Sequence, residues 1–222
     1  MIRLKEELMD DNSLYNEVIQ ANKQYAETYA AQPYPFAHKR AVLLTCMDAR
    51  MLTHDIMGFN AGDMYVIRNA GGRASDDALR SLIIASKLLQ AQQFFVVHHT
   101  DCGMQRFTDR SMSELLKSSM SQSARITYCT ASLERGQKNK KSPCKRSTCC
   151  GEDSCVGYQC IDWMTIQQGL YTSVLDDVVK IRNHPLISPE IPIYGLIFDV
   201  MTGKLIPVDE AIKAGRTKQS CC

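Results

Sequence analysis

Residues 64–98 read MYVIRNAGGRASDDALRSLIIASKLLQAQQFFVVH, and this stretch decides the fold because it contains a strand, a helix and a second strand in succession. Met64–Ile67 and Phe94–His98 are short apolar runs, which is typical of strands buried on both faces. Between them, Ser75 is suited to cap a helix whose leucines recur at helical spacing. A strand, a crossover helix and a second strand predict parallel pairing.

Further elements on either side extend this unit. Ala41–Thr45 (AVLLT) precedes it as an apolar strand, and Ile193–Val200 (IYGLIFDV) follows it, with a turn leading into Leu205–Val208. Apolar residues at helical spacing predict another helix over roughly Met164–Arg182. We therefore predict an α/β fold with a mostly parallel central β-sheet flanked by helices, in a single domain over residues 1–222.

Residues 1–32 carry an amphipathic helical pattern before the first strand, and Pro33 ends it. The apolar positions include Leu4, Leu8, Tyr15, Val18, Ile19, Tyr25, Ala26 and Tyr29. Because a helix cannot join the sheet, its apolar face needs a surface that is already formed to pack on.

The overall composition excludes several classes of protein. The formal net charge of +2 gives no indication of a nucleic-acid partner, and no run of eighteen apolar residues predicts a transmembrane segment. The first residues lack the pattern of a secretory signal, so we expect a cytoplasmic protein. In that compartment, cysteines serve as thiols or metal ligands more often than as a disulfide framework.

Residues 127–160 interrupt the α/β pattern with a polar, basic, cysteine-rich stretch that we interpret as an insertion loop. Cys149, Cys150, Cys155 and Cys160 offer a second, structural zinc site as one reading. Their spacing lacks paired CxxC knuckles, so a solvated loop with reactive thiols is the simpler expectation. The terminal pair at positions 221 and 222 lacks the context of a lipidated tail.

Two short motifs contain the residues that can bind a metal or take part in catalysis. Cys46-Met-Asp-Ala-Arg50 follows the first strand, and His99-Thr-Asp-Cys102 follows the strand that ends at His98. Both motifs stand at the carboxyl ends of strands, where open parallel sheets form their ligand crevice. Two thiolates and an imidazole suit zinc, and three protein ligands leave a fourth tetrahedral position open, as in catalytic sites. Water at that position ionises near pH ~7.

Asp48 and Arg50 distinguish this arrangement from a closed structural zinc site. An arginine that holds a carboxylate in a bidentate pair fixes its orientation and keeps it ionised. Such a carboxylate can accept a proton from hydroxide and direct its lone pair at a substrate. His98 faces the opposite side of its strand from His99 and is expected to be packed or hydrogen-bonded. Asp101 is interpreted as a residue of the turn between the ligands.

The segments CMDAR, VIRNAGG (residues 66–72) and HHTDCGM (residues 98–104) resemble the β-carbonic anhydrase family in content, order and spacing. The resemblance implies one catalytic zinc ion per chain, held by Cys46, His99 and Cys102, with Asp48 and Arg50 as the catalytic dyad. It implies reversible hydration of carbon dioxide to bicarbonate and a proton. It also implies a homodimer, or a tetramer built from it, in which the N-terminal helix wraps the partner subunit.

Some features leave alternatives open. The residues of the three motifs resemble those of a smaller subgroup, which includes hydrolases of carbonyl sulfide and carbon disulfide. Asn60 stands where plant-type members of the family carry a glutamine. A non-catalytic zinc or redox module is a further hypothesis. His54 is a candidate proton shuttle, with a solvated helix position as the alternative. Gly71-Gly72 matches no phosphate-binding fingerprint, so we predict no nucleotide cofactor.

Overall fold

The computed structural model describes residues 13–31, 36–119 and 162–217. The predicted insertion at 127–160, the first twelve residues and the terminal cysteine pair lie outside these ranges. The chain divides at Phe36 into two units. Within the ranges that the structure describes, every helix is too short or too polar to span a bilayer.

The first unit contains helix α1, Ser13–Thr28, where the sequence pattern predicts a helix. None of the residues of α1 is buried. Its large apolar side chains are instead exposed to solvent, and they comprise Leu14, Tyr15, Val18, Ile19 and Tyr25. An exposed apolar stripe of this kind is unusual for a helix of a globular monomer, which normally buries that face.

The second unit is built on a five-stranded sheet with the order β2-β1-β3-β4-β5. The strands are β1 Ala41–Cys46, β2 Met64–Asn69, β3 Gln93–His99, β4 Ile193–Phe198 and β5 Leu205–Pro207. The first four pair in parallel and β5 runs antiparallel to β4. The helices are α2 Thr53–Met57, α3 Asp76–Lys87, α4 Asp109–Ser119, α5 Leu170–Arg182 and α6 Asp209–Ala214. The prediction of a mostly parallel sheet flanked by helices is confirmed.

Helix α3 begins where the sequence predicts. The Ser75 hydroxyl accepts a hydrogen bond from the Ala78 backbone N–H at 3.3 Å. Two aspartates occupy the first turn, where their negative charges interact favourably with the helix dipole. Leu79 and Leu82 are buried in the core, whereas Leu88, which the sequence pattern places on the apolar face, is exposed at the end of the helix.

Helix α5 begins later than predicted, at Leu170 instead of Met164. The preceding segment is not helical, because its backbone is hydrogen-bonded to other partners. The Ile166 N–H donates to the Met104 carbonyl at 2.9 Å, and the Met164 carbonyl accepts from the Arg73 guanidinium at 2.7 Å. Helical periodicity in the sequence continues through this segment, but these tertiary hydrogen bonds override it.

Successive residues of β3 project to opposite sides of the sheet and join different hydrophobic clusters. Phe94 and Val96 pack in the cluster that includes α3 and α5, and Val97 packs in the second cluster with Met104 and Phe198. The same alternation carries to the end of the strand, so His98 faces the first cluster and His99 faces the second.

Candidate metal and catalytic site

Three side chains that can bind a metal meet at one edge of the sheet. Cys46 ends β1 and His99 ends β3, and because these strands are parallel neighbours their carboxyl ends lie side by side. Cys102 follows in the turn after β3. The ligand atoms of all three residues are buried and lie within 4.8 Å of one another. The structure therefore brings together the three residues predicted from the sequence as metal ligands.

The geometry of these side chains fits a tetrahedral ion. The Sγ atoms of Cys46 and Cys102 lie 3.9 Å apart; two thiolates bound to tetrahedral zinc at ~2.3 Å would lie about 3.8 Å apart. The His99 Nδ1 donates to the Thr100 carbonyl at 2.9 Å, which leaves Nε2 with its lone pair. His99 Nε2 is buried without a hydrogen-bond partner among the described residues, as expected of a nitrogen that serves as a metal ligand.

The two thiols influence each other strongly. The contact with the Cys102 thiol lowers the pKa of Cys46, and this effect exceeds the opposing effect of burial. The same contact, together with burial, raises the pKa of Cys102. Backbone N–H groups of Asp48 and Gly71 also favour the thiolate of Cys46. A metal ion would replace the shared proton, because thiolates and not thiols are ligands.

The RNAGG segment forms the short turn that contacts the Cys46 loop. Gly71 and Gly72 have φ angles of +79° and +69°, a backbone region that favours glycine. A Cβ at position 72 would lie 2.8 Å from the Cys46 backbone nitrogen, so any side chain there would displace the metal-site loop.

Asp48 and Arg50 form the predicted bidentate pair. Arg50 Nε donates to Asp48 Oδ1 at 2.9 Å, and Arg50 Nη2 donates to Oδ2 at 2.8 Å. Chiefly through these hydrogen bonds, the guanidinium holds the pKa of Asp48 well below its usual range. The effect of the hydrogen bonds on the pKa is larger than the opposing effect of burial. Asp48 Oδ2 lies 3.8 Å from His99 Nε2. The carboxylate is therefore ionised and adjacent to the position that a metal would occupy.

Asp101 has contacts that sequence reasoning did not anticipate. Its carboxylate accepts from Arg50 Nη1 at 3.0 Å and from Arg106, so it does more than turn the loop between the ligands. Charged residues are common in loops, so the position of Asp101 in the sequence does not indicate a role. The contacts with Arg50 and Arg106 are seen only in the structure.

Two further residues that sequence reasoning missed support the ligand loops. Arg68, the arginine of RNAGG, donates to the Cys46 carbonyl at 2.9 Å and to the Asp48 carbonyl at 2.6 Å. Asp199 accepts from the Thr100 hydroxyl at 3.3 Å and so fixes the residue whose carbonyl orients the His99 ring. The position of Arg68 within a motif was the available signal; for Asp199 the sequence gives none.

His98 lies on the other face of the sheet, as predicted, in a buried charged network. Its Nε2 lies 3.1 Å from Asp177 Oδ2, which also accepts from Arg73 Nε at 2.7 Å. Burial alone would raise the pKa of Asp177, but the hydrogen bonds from His98 and Arg73 reverse the direction and lower it. The network fixes the strand that carries His99 against helix α5.

The remaining predicted positions lie outside these contacts. His54 is half-buried in α2, and among the described residues no hydrogen bond or ion pair joins its side chain to the metal-ligand group, so its role as a shuttle stays a prediction. Asn60 is exposed, and its backbone N–H donates to Asp63 Oδ2 at 2.9 Å.

Comparisons with known proteins identify the family of the chain. A family model described as carbonic anhydrase matches residues 41–205. The chain belongs to the β-carbonic anhydrase family. The chain is 29% identical over 189 residues to beta-carbonic anhydrase 1 of Mycobacterium tuberculosis, and the match covers 83% of this chain and 91% of that protein.

Two other relatives of the chain are informative. The carbon disulfide hydrolase of Acidianus sp. (strain A1-3) is 31% identical over 173 residues, covering 76% of each chain. The solved structure of carbonic anhydrase from Glaciozyma antarctica superposes with a TM-score of 0.67 at 31% identity, covering 85% of this chain and 94% of that one. The family predicted from CMDAR, RNAGG and HHTDCGM is confirmed, and its members carry more than one activity.

Proposed function

We propose that this protein catalyses the reversible hydration of carbon dioxide to bicarbonate and a proton, with one zinc ion held by Cys46, His99 and Cys102. The observation that carries the proposal is the ionised Asp48–Arg50 pair beside three buried ligand atoms. A structural zinc site closes its fourth position with a protein ligand. Here that position is faced by a carboxylate that an arginine restrains.

Zinc at this site would lower the pKa of a water molecule and supply hydroxide near neutral pH. The residues of the chain then have separate tasks. Asp48 would accept a hydrogen bond from that hydroxide and so direct its lone pair at the carbon of the substrate. Arg50 keeps that carboxylate ionised and away from the metal position. Thr100 fixes the ring of His99 through Nδ1. The released proton leaves through solvent, buffer or His54.

Hydrolysis of carbonyl sulfide or carbon disulfide is the second candidate. The 31% identity to a carbon disulfide hydrolase specifically favours it. The same attack by hydroxide on a linear triatomic carbon serves both reactions, so the ligands do not discriminate between them. Measuring sulfide release and carbon dioxide hydration on one preparation separates the two activities.

A non-catalytic zinc or redox module is a weaker hypothesis. Such a module has no use for an ionised carboxylate fixed 3.8 Å from a ligand nitrogen. Zinc bound at full stoichiometry without hydration or sulfide release would favour it.

We also propose a homodimer in which α1 packs on the partner subunit. The support is the exposed apolar stripe of α1, which includes Val18 and Ile19. Sedimentation velocity on Val18→Asp should show dissociation toward monomers. Leu88→Asp, at an exposed apolar position directly after α3, is the matched control and should leave the dimer intact. A dimer that persists in Val18→Asp contradicts this part of the proposal.

The activity itself is tested with zinc-loaded protein in a stopped-flow hydration assay, alongside a sulfide-release assay. We expect hydration to be the faster reaction by at least about tenfold in kcat/KM, equivalent to about 1.4 kcal/mol. Sulfide release that exceeds hydration would assign the second candidate instead.

A further inference from the structure

We propose that Asp101 is a positioning residue for this reaction, acting through Arg50 to fix the Asp48 carboxylate beside the metal position. The inference rests on the proposed function and adds a residue to its machinery. It is carried by the contacts of Arg50, whose guanidinium lies between two carboxylates from different loops.

The guanidinium of Arg50 makes four described hydrogen bonds. Two go to the carboxylate of Asp48, from Nε at 2.9 Å and Nη2 at 2.8 Å. The other two go to Asp101, from Nη1 to Oδ2 at 3.0 Å and from Nη2 to the backbone carbonyl at 3.2 Å. A guanidinium has five N–H donors in a rigid plane, so partners on both sides determine the orientation of the whole group.

These contacts connect the two loops that carry the metal ligands. Asp48 and Arg50 follow Cys46 at the end of β1, whereas Asp101 directly precedes Cys102 after β3. The Arg50–Asp101 hydrogen bonds join residues 51 positions apart in the chain. They therefore fix the position of the dyad relative to Cys102, which the Asp48–Arg50 pair alone cannot do because both of its members belong to the loop that follows Cys46.

Asp101 is itself held in a defined position. Its φ of 56° lies in the left-handed region, which aspartate and asparagine tolerate better than most residues. Arg106 donates to Oδ1 while Arg50 donates to Oδ2, so each carboxylate oxygen has its own arginine. Both arginines, with Arg106 the larger influence, lower the pKa of Asp101, and the carboxylate stays ionised at neutral pH.

A purely local role for Asp101 makes a different prediction. If the residue only turns the loop, asparagine should replace it without consequence, because asparagine suits the same backbone conformation and is nearly isosteric. An isolated exposed ion pair also holds a geometry weakly. In contrast, the Asp101 carboxylate accepts hydrogen bonds from two guanidiniums, and the Asp101 backbone carbonyl accepts a third hydrogen bond. Together these contacts form a network that restrains Arg50.

The test compares Asp101→Asn with the wild-type protein and with Arg110→Gln. Arg110 is an exposed arginine that pairs with Glu114 on α4, so it is a matched surface substitution. The first readout is the {1H}–15N NOE of the Arg50 Nε–H in metal-free protein, assigned by its loss in Arg50→Lys. The second is kcat and KM for carbon dioxide hydration by the zinc-loaded protein, with zinc content and thermal unfolding measured on the same samples.

We expect Asp101→Asn to fold and to bind zinc as the wild type does. Its Arg50 Nε NOE should fall toward that of a mobile surface arginine, and kcat should decrease about tenfold with KM unchanged. That magnitude lies between the small effect of a lone exposed pair and the ~10²-fold loss that a 1 Å misplacement can cause. Arg110→Gln should match the wild type in both readouts. If Asp101→Asn does not fold, Arg106→Gln replaces it and should lower the NOE and kcat together.

Several results would overturn the inference. An unchanged Arg50 NOE in Asp101→Asn shows that Asp101 does not restrain the guanidinium, whatever happens to the rate. A reduced NOE with wild-type kcat shows that the restraint has no effect on the reaction. Wild-type protein with full zinc and no hydration activity is a different failure, because it refutes the proposed function and the inference with it.

Discussion

Replacing Asp177 with asparagine removes the anion at the centre of a buried charged network. The carboxylate of Asp177 is 1% exposed and accepts from Arg73, whose side chain is 10% exposed, and from His98, which is fully buried. Arg73 also donates to the Met164 carbonyl at 2.7 Å, so the network fastens the segment before α5 to the sheet. The substitution leaves the guanidinium buried without its counter-ion.

The expected cost follows from the burial of the network. Breaking a buried pair by removing one partner typically costs ~3–5 kcal/mol. Asparagine retains one acceptor oxygen, so the lower end, about 3 kcal/mol, applies to Asp177→Asn. For a chain of 222 residues, Tm changes by about 2–4 °C for each kcal/mol of unfolding free energy. The substitution should therefore lower Tm by roughly 6–12 °C.

Urea unfolding and calorimetry of metal-free protein measure this effect without interference from zinc. Asp77→Asn is the matched control, because Asp77 pairs with Arg80 on α3 while both side chains are largely exposed. That control should lose less than about 1 kcal/mol. If Asp177→Asn is as stable as the control, the network does not contribute in the way its burial indicates, and the reasoning is refuted.

The pH dependence has a definite sign. The folded-state pKa of Asp177 is depressed, so its contribution is complete above the unfolded pKa of ~3.9 and is lost as the pH falls through the folded value. The stability difference between wild type and Asp177→Asn should therefore be constant from pH 7 to 5 and shrink only below about pH 4. A difference that shrinks between pH 7 and 5 would assign the effect to another group.

Three further substitutions test the site. Asp48→Asn should retain zinc, as measured by atomic absorption, and lose at least ~10²-fold in kcat/KM for hydration; unchanged kinetics would contradict its role. Gly72→Ala should lower both Tm and zinc content because its Cβ would contact the Cys46 backbone, whereas Gly203→Ala has a similar φ with open space around it and should show backbone strain alone. Cys102→Ala should lose zinc and hydration together, and retained activity would contradict the ligand assignment.

The strands and the meeting of the three candidate ligand residues could be predicted from the sequence because their signals are local. Short apolar runs place β1 and β3, and the parallel arrangement of their carboxyl ends follows from the crossover between them. Once Cys46 and His99 stand at those ends, their proximity is a consequence of topology. Period-two alternation also places His98 correctly on the opposite face of the sheet.

Features set by long-range contacts could not be predicted in the same way. The sequence pattern starts α5 six residues too early, at Met164 instead of Leu170, because hydrogen bonds from Arg73 and to Met104 keep the preceding backbone out of the helix. The Arg73–Asp177 pair joins residues 104 positions apart, and a sequence alone does not show which buried charges meet. The contact of Asp101 with Arg50 depends on a left-handed loop whose geometry no local pattern specifies.

The most direct test of the central claim is a zinc titration of metal-free protein followed by stopped-flow hydration of carbon dioxide at each zinc ratio. Activity should rise with zinc bound by Cys46, His99 and Cys102, reach its maximum when that site is filled, and be absent from Cys102→Ala at every ratio. Hydration that is present without zinc, or that Cys102→Ala retains, would contradict it.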